Sequence, residues 1–399
     1  MYQRKEMFIL DLSIDVSYKS LNKHHEELCG DKVEILKTDT SNIIILADGM
    51  GSGVKANILA TLTSKILGTM FLNGASIDEC VETIVKTLPV CKVRQIAYST
   101  FSILQIFHNG DAYLVEFDNP SCVFIRNSRL ITIPYQERLI HGKKIREYRF
   151  QVSTNDCFIL MSDGVIHAGV GQALNFGWTW QHMAEYSLQA TRTTLSASRL
   201  ATILSKACDD LYMQNPGDDT TIAVARIIKT KTINLFTGPP RNPVDDPIVV
   251  EKLMSGHARR IVCGGTTANI VSRVLDRQIT TSLNYTDPSI PPTAHIEGLD
   301  LVTEGVLTLS RTLSLLKKYL EEDVDESYFL ELDKENGGSQ VAKLIVEECS
   351  VLHMYVGKAI NEAHQNPGLP FDLSIRMHLV EQIKDTAQKM GKVVTVTYY

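Results

Sequence analysis

The chain has 399 residues, of which 44% are hydrophobic and 22% charged, and a formal net charge of −6. That length exceeds one ordinary core and predicts two globular domains, while the apolar content excludes extensive disorder. The negative balance, with no cluster of lysines and arginines to override it, argues against nucleic acid or an anionic membrane surface as the main partner.

No stretch reaches the ~18 uninterrupted apolar residues of a membrane helix. The eight cysteines (Cys29, Cys80, Cys91, Cys122, Cys157, Cys208, Cys263, Cys349) are scattered without a CxxC pair, so they read as reduced thiols and not as a disulfide framework or zinc site. The opening MYQRKEMFILDLSIDVSY is interrupted by Asp11 and Asp15 and alternates like a strand, unlike a signal core. A cytoplasmic protein with no membrane span is the expectation.

In chain order, residues 7–18 alternate as a strand, and 33–38 and 42–47 predict adjacent strands. A helix follows from Val54 to Phe71, and a second over 76–88 begins at the capping residue Ser76. Residues 96–133 (AYSTFSILQIF, DAYLVEFD, CVFIRN, RLITIP) predict an antiparallel meander with HNGD and DNPS turns. After a polar stretch, CFILMSD at 157–163 reads as a strand ending in an acidic turn, 196–213 as a helix, and TIAVARII at 221–228 as a buried strand.

Beyond Ile228 strands alternate with helices: TINLF and DPIVVEKLM, RRIVC and ANIVSRVL, LDLV and LTLSRTLSLLKKYL, VLHMYV and AINEAH, then SIRMHLVEQIKDTAQKM and KVVTVTYY. This predicts a smaller α/β domain over 232–399 with a parallel or mixed sheet. The join from Lys229 to Lys231 is short, so closely coupled domains are expected. ENGG at 335–338 reads as an exposed loop.

Four aspartates stand where strands give way to turns: Asp31 in CGDKVEI, Asp48 in IIILADGMGSG, Asp163 in FILMSDGV and Asp218 in PGDDTTIAV. An Asp-Gly pair alone is most often a turn. Four acidic turns, each beside a strongly apolar strand, instead suggest a shared role. Mg²⁺ and Mn²⁺ are hard cations whose sites gather carboxylates from separate strand ends. His167, four residues after Asp163, has the chemistry of a general acid, although an ordinary loop or packing role is the preferred reading. His24, His25 and His141 lack metal-ligand spacing and read as surface residues.

The succession GD, ADGMGSG, SDGV, GDDTT, over about residues 1–230, resembles PPM-type metal-dependent serine/threonine protein phosphatases of the bacterial SpoIIE-like branch. The resemblance implies an α+β fold, a β-sandwich flanked by helices, with two Mn²⁺ or Mg²⁺ ions at one end. Asp48 would bridge the ions with help from the Gly49 carbonyl, Asp31, Asp163 and Asp218 would supply further carboxylates, and Asp219 a supporting one. Asp48 and Asp163 are the residues on which catalysis would depend. Two adjacent ions make a water acidic enough to attack phosphorus near neutral pH, so no protein nucleophile is needed. In such relatives, helices beside the glycine-rich turn control assembly of the metal site, and Val54–Phe71 corresponds to the first of them.

The implied substrate is a phosphorylated protein, such as an anti-sigma-factor antagonist-like protein, in bacterial signalling. Two departures stand out. Arg4 and Lys5, the candidates for the phosphate-binding arginine of eukaryotic relatives, lie outside any motif, so substrate-phosphate binding is expected to rest mainly on the metals, and GDDTT lacks the apolar residue common between the acidic pair and the threonine. The alternative is a phosphatase-fold protein without catalysis that senses a metabolite or nucleotide. A metal-dependent nuclease is set aside by the negative charge.

In the second domain the junction GGTT, Gly264, Gly265, Thr266 and Thr267, is the candidate turn for a small phosphate-bearing ligand, because helix N-termini present unpaired N–H groups. Ordinary αβ packing uses the same residues, and neither G-x-x-x-x-G-K-[ST] nor G-x-G-x-x-G is present.

Overall fold

The computed structural model describes residues 12–88, 99–281, 293–321, 324–359 and 371–399. Arg4, Lys5, Cys91, the start of the first expected strand and the AINEAH helix beyond Ala359 lie outside those residues. The chain divides into two compact units, Met1–Lys229 and Thr230–Tyr399.

The first unit runs β1 (Leu12–Leu21), β2 (Asp31–Lys37), β3 (Ser41–Gly49), α1 (Gly53–Leu72), α2 (Ile77–Thr87), β4 (Ser99–Phe107), β5 (Asp111–Phe117), β6 (Val123–Arg126), β7 (Arg129–Leu130), β8 (Gln136–Ile140), β9 (Lys143–Gln151), β10 (Cys157–Met161), α3 (Asp163–Ile166), α4 (Trp180–Ala190), α5 (Ala197–Leu211) and β11 (Thr220–Lys229). These strands form two sheets, ordered β1-β11-β10-β6-β7 and β2-β3-β4-β5-β9-β8.

The run SNIIILADG explains the layering. Along β3, Ile44 and Leu46 enter the core between the sheets, where they meet Phe124, Phe158, Ala223 and Ala225. Ile43, Ile45 and Ala47 point the other way, into a core shared with Ala60 and Leu67 of α1 and Val81 and Ile84 of α2. In β11, Ile222 and Val224 face Leu200 and Leu204 of α5 while Ala223 and Ala225 face the other sheet. Strands covered on both faces must be apolar on both. The result is the expected sandwich with helices on each outer face. Ser76 caps α2 with a full capping box, its hydroxyl taking the Glu79 N–H and its own N–H held by the Glu79 carboxylate.

The meander expected over 96–133 is corrected. β4 and β5 form a hairpin in one sheet, but β6 leaves it and pairs with β10 in the other. The turn at Asp118, Asn119 and Pro120 redirects the chain, with Asp118 at φ 59°. The stretch read as merely polar holds the β8–β9 hairpin at a sheet edge.

The second unit runs β12 (Thr232–Thr237), α6 (Asp246–Met254), β13 (Ala258–Cys263), α7 (Gly265–Leu275), β14 (Thr280–Thr281), β15 (Ala294–His295), β16 (Leu301–Thr303), α8 (Val306–Tyr319), α9 (Glu326–Leu332), α10 (Gly337–Glu348), β17 (Val351–Val356), α11 (Phe371–Lys389) and β18 (Val393–Tyr398). Its mixed sheet is ordered β14-β15-β16-β13-β12-β17-β18, with β16, β13, β12, β17 and β18 mutually parallel and β15 and β14 antiparallel at one edge. The chain winds outward from β12 in one direction through β13 to β16 and in the other through β17 to β18, a doubly wound order. Val249 and Leu253 of α6 and Ala268 and Val271 of α7 cover one face. Leu309 and Leu316 of α8, Val341 and Ile345 of α10, and Val380 and Ile383 of α11 cover the other.

The exposed loop expected at ENGG is also corrected. Asn336 is buried and its side chain caps α10 by taking the Ser339 N–H at 2.9 Å, while Gly337 and Gly338 start the helix in buried positions. The polar, glycine-containing composition belongs to a helix start packed beneath its neighbours.

Candidate metal centre

The antiparallel register of β2 and β3 sets Asp31 directly opposite Asp48. Two like charges in such a pair repel and destabilise the sheet unless something compensates them. From the other sheet, β10 runs into Asp163, the first residue of α3, and β11 begins just after Asp218 and Asp219. The ends of β10 and β11 are stitched together: the Ser162 N–H donates to the Thr221 carbonyl at 3.0 Å and the Thr221 N–H to Ser162 Oγ at 2.8 Å. Both sheets thus deliver carboxylates to the same end of the sandwich.

These groups act on one another electrostatically. Burial raises Asp48 well above the usual carboxylate range, and the charges of Asp31, Asp163, Asp218 and Asp219 add to the shift. Burial likewise raises Asp31, with Asp219 and Asp163 contributing. Asp163 is raised by partial enclosure and then by Asp218, although part of its surface meets solvent, and His167 and Lys23 act in the opposite direction. Burial also raises Asp219.

Asp31 is only 4% exposed and neither of its carboxylate oxygens makes a hydrogen bond of good geometry, so the neighbouring Ser162 and Thr221 hydroxyls offset its burial only in part. Asp219 is equally buried; its Oδ1 accepts the Lys23 N–H at 3.0 Å, while its Oδ2 makes no bond of good geometry and has only the Gly30 backbone and the Cys29 thiol to soften its burial. An ionised carboxylate in that condition costs several kcal/mol unless a proton or cation neutralises it. The donors are all hard oxygens, which fits Mg²⁺ or Mn²⁺. Among the described residues no three His, Cys, Asp or Glu groups converge on one point. Mg²⁺ commonly keeps several waters and takes only one or two carboxylates, so hydrated ions do not require such a convergence.

Two glycines let the backbones close around these acids. A Cβ on Gly49 would lie 2.1 Å from the Ala56 carbonyl oxygen, so the first turns of α1 sit on the Asp48–Gly49 turn. A Cβ on Gly164 would lie 2.1 Å from the Asp219 carbonyl oxygen, and the Gly164 carbonyl accepts the Tyr212 hydroxyl at 2.7 Å. Helix α1 is tied to the loop before Asp31 as well: Asn57 Nδ2 donates to the Cys29 carbonyl at 2.8 Å and Ser52 Oγ to Glu26 Oε1 at 2.8 Å.

The structure therefore carries Asp31, Asp48, Gly49, Asp163, Asp218 and Asp219 to one end of the sandwich without three of the acidic side chains meeting at one point, and places His167 one helical turn from Asp163, exposed to solvent. Of the acidic pair, Asp219 is the more deeply buried, whereas Asp218 has a side chain 41% exposed and lies 3.7 Å from Lys23 Nζ. Lys23 was not singled out by sequence; its only signal is a basic residue in the loop joining the strand before Asp31. Gly264, Gly265, Thr266 and Thr267 belong to the second unit, at the start of α7. There the Thr267 hydroxyl is buried and accepts the Gly238 N–H at 2.9 Å, and the Gly264 N–H donates to the Thr303 carbonyl at 2.8 Å, so much of the turn's polarity is used internally. Gly265 and Thr266 remain exposed.

Residues 38–228 match the family model described as Stage II sporulation protein E (SpoIIE). That stretch contains Asp48, Asp163, Asp218 and Asp219, while Asp31 precedes it. No curated protein sequence matches the chain. Among solved structures, the SpoIIE phosphatase domain from Bacillus subtilis is 18% identical, with 55% of this chain and 94% of that one covered at a TM-score of 0.43. The RsbU and RsbW domains of a Mycobacterium tuberculosis protein are 15% identical over 60% of this chain and 68% of that one, at 0.46. RsbX in complex with magnesium is 19% identical over 54% and 95%, at 0.39. By its family model and the acidic strand ends that fall within it, the N-terminal unit is a SpoIIE-like phosphatase domain of the PPM type, followed in this chain by an α/β unit.

Proposed function

We propose that the chain hydrolyses phosphoserine or phosphothreonine in a protein substrate, with two Mn²⁺ or Mg²⁺ ions held by Asp31, Asp48, Asp163 and Asp218 and supported by Asp219 and the Gly49 carbonyl. The observation that carries this reading is the pair of buried carboxylates, Asp31 and Asp219, whose hydrogen bonding is incomplete beside Asp48 and Asp163. When bound, the ions would supply an acidified water and neutralise the phosphoryl charge. The chain's own part is to hold the acids. The Asp31–Asp48 register and the Ser162–Thr221 stitch fix them across two sheets, and α1 braces the Asp48 turn. The substrate fitting this reading is a small phosphorylated signalling protein of the anti-sigma-factor-antagonist kind, in a bacterial cytoplasm.

The test is Mn²⁺-dependent turnover of a phosphopeptide and of p-nitrophenyl phosphate by the full chain, with Asp48→Asn and Asp163→Asn alongside. Each substitution is expected to lower turnover at least about 100-fold, as loss of metal-site support does. Activity that survives both would overturn the assignment.

A second reading, a metabolite or nucleotide sensor, concerns the α/β unit and is favoured by its doubly wound order, since such sheets bind ligands beyond the carboxyl ends of their strands. Gly264, Gly265 and Thr266 would meet a phosphate-bearing ligand there, with Thr267 bracing the turn. Calorimetry with a panel of nucleotides tests it; no saturable heat would sink it.

A further inference from the structure

The loop between β1 and β2 reaches the carboxylates twice through one residue. The Lys23 N–H donates to Asp219 Oδ1 at 3.0 Å, and the neighbouring His24 N–H donates to the Pro216 carbonyl at 2.8 Å, so the backbone at this point is pinned to the segment that carries Asp218 and Asp219. The Lys23 side chain is held far less firmly. Its ammonium is 3.7 Å from Asp218 Oδ1, with the two side chains 38% and 41% exposed. Its charge also acts on Asp163. An ion pair this exposed is worth little to stability, yet it sets a cation on a fixed base at the edge of an acidic cluster.

A divalent ion bound to Asp218 competes with that ammonium for the same oxygens. Once Asp218 is engaged, the four-carbon stem lets the ammonium swing while its base stays pinned, still within a side-chain length of the cluster. A phosphoryl group brought to the cluster carries acceptor oxygens that need a compact, mobile donor, and lysine meets phosphate as such a point charge.

We propose that Lys23 is the phosphate-positioning residue of this site: it pairs with Asp218 when no divalent ion is bound and turns to the substrate's phosphoryl oxygens when one is. The inference rests on the phosphatase reading above. Its consequence is a signature that a merely structural lysine would not give. Removing the ammonium takes a competitor away from the metal and a partner away from the phosphate, so the two affinities shift in opposite directions.

The variants are Lys23→Met, which keeps the stem and the backbone N–H, and Lys23→Arg, which keeps a charge. Calorimetry on the metal-free full chain measures Mn²⁺ affinity, and inorganic phosphate is then titrated into the Mn²⁺-loaded chain; KM and kcat for p-nitrophenyl phosphate are measured in parallel. In Lys23→Met, Mn²⁺ should bind about two- to fivefold more tightly, the span expected from losing an exposed ion pair. Inorganic phosphate should bind at least about tenfold more weakly, as for one hydrogen bond to a charged group, with KM rising more than kcat falls and Lys23→Arg recovering most of the loss. Any pattern other than opposite shifts overturns the proposal, including both affinities unchanged or both lowered together. If the wild-type chain shows no Mn²⁺-dependent turnover, the phosphatase reading fails, while the two calorimetric affinities still decide the role of Lys23.

Discussion

The two units end their buried strands in similar ways and leave them in opposite electrostatic states. In the N-terminal unit, β2, β3, β10 and β11 bring aspartates to one end of a sandwich, where Asp31 and Asp219 keep buried oxygens that are incompletely hydrogen-bonded. In the C-terminal unit, β12, β13 and β16 lead into glycine and threonine turns that largely satisfy one another through Thr267, Gly238, Gly264 and Thr303. Small residues beside apolar strands are common to both and say little about chemistry. What separates a site from a well-made turn is whether the buried polar groups are paired, because an unpaired carboxylate carries a cost that only a proton or a cation removes.

The sharpest way to break that contrast is at Gly49. Alanine there would drive a Cβ to 2.1 Å from the Ala56 carbonyl oxygen, so either α1 or the Asp48 turn must move. Overpacking against backbone costs about 1–3 kcal/mol, and displacing a reacting group by ~1 Å costs about 100-fold in rate. Gly49→Ala should therefore lose about 100-fold in turnover while the unit stays folded by circular dichroism. Turnover within threefold of wild type would show that α1 does not govern the acidic turn.

A smaller effect with an unusual sign is expected at Asp31. Burial raises both Asp31 and Asp48, so the folded metal-free protein holds protons that the unfolded chain has released. Stability tied to such groups is present below the ordinary carboxylate range and is lost as pH rises through the raised values. The melting temperature in EDTA should accordingly fall from about pH 5 to about pH 8, and the gain on adding Mn²⁺ should widen over the same window. Asp31→Asn removes one of the opposed charges. It should raise the metal-free melting temperature at pH 8 by about 2–4 °C, the shift that ~1 kcal/mol produces in a unit of this size, and largely abolish the Mn²⁺ gain. A variant less stable than wild type in EDTA would show that Asp31 is not electrostatically strained.

How much of this was legible depends on where the determining contact lies. Asp48 and Asp163 could be read because each follows an apolar run within its own segment, and β3 could be read because cover on both faces leaves a continuous run, IIILA. The period of a strand does not say which sheet it joins, so the departure of β6 to pair with β10 was invisible. In β8 and β9, Glu137, Arg138, Lys143, Lys144 and Arg146 mask the alternation, since an edge hairpin can present charge to solvent. Asn336 carries loop chemistry but serves as a cap, which only its bond to Ser339 reveals. The place of Lys23 was least legible of all, because it is defined by a bond to Asp219, 196 residues away.

The smallest expected effect examines the satisfied half of the comparison. Thr267 is 1% exposed and its hydroxyl takes the Gly238 N–H, at a residue whose φ of 77° is followed by Pro239. Thr267→Val keeps the shape of the side chain and removes the acceptor, leaving a buried N–H unpaired at a cost of about 1–3 kcal/mol. The direct readout is hydrogen exchange at the Gly238 amide, which should quicken about 5- to 150-fold if opening becomes easier by that amount. In wild type the same amide should be slow in EDTA and in Mn²⁺ alike, since its partner is a fixed hydroxyl and not a group awaiting a cation. If it exchanges quickly in the wild-type chain, the turn at Gly264–Thr267 is not self-satisfied, and its donors are as open to a ligand as the aspartates of the first unit are to a metal.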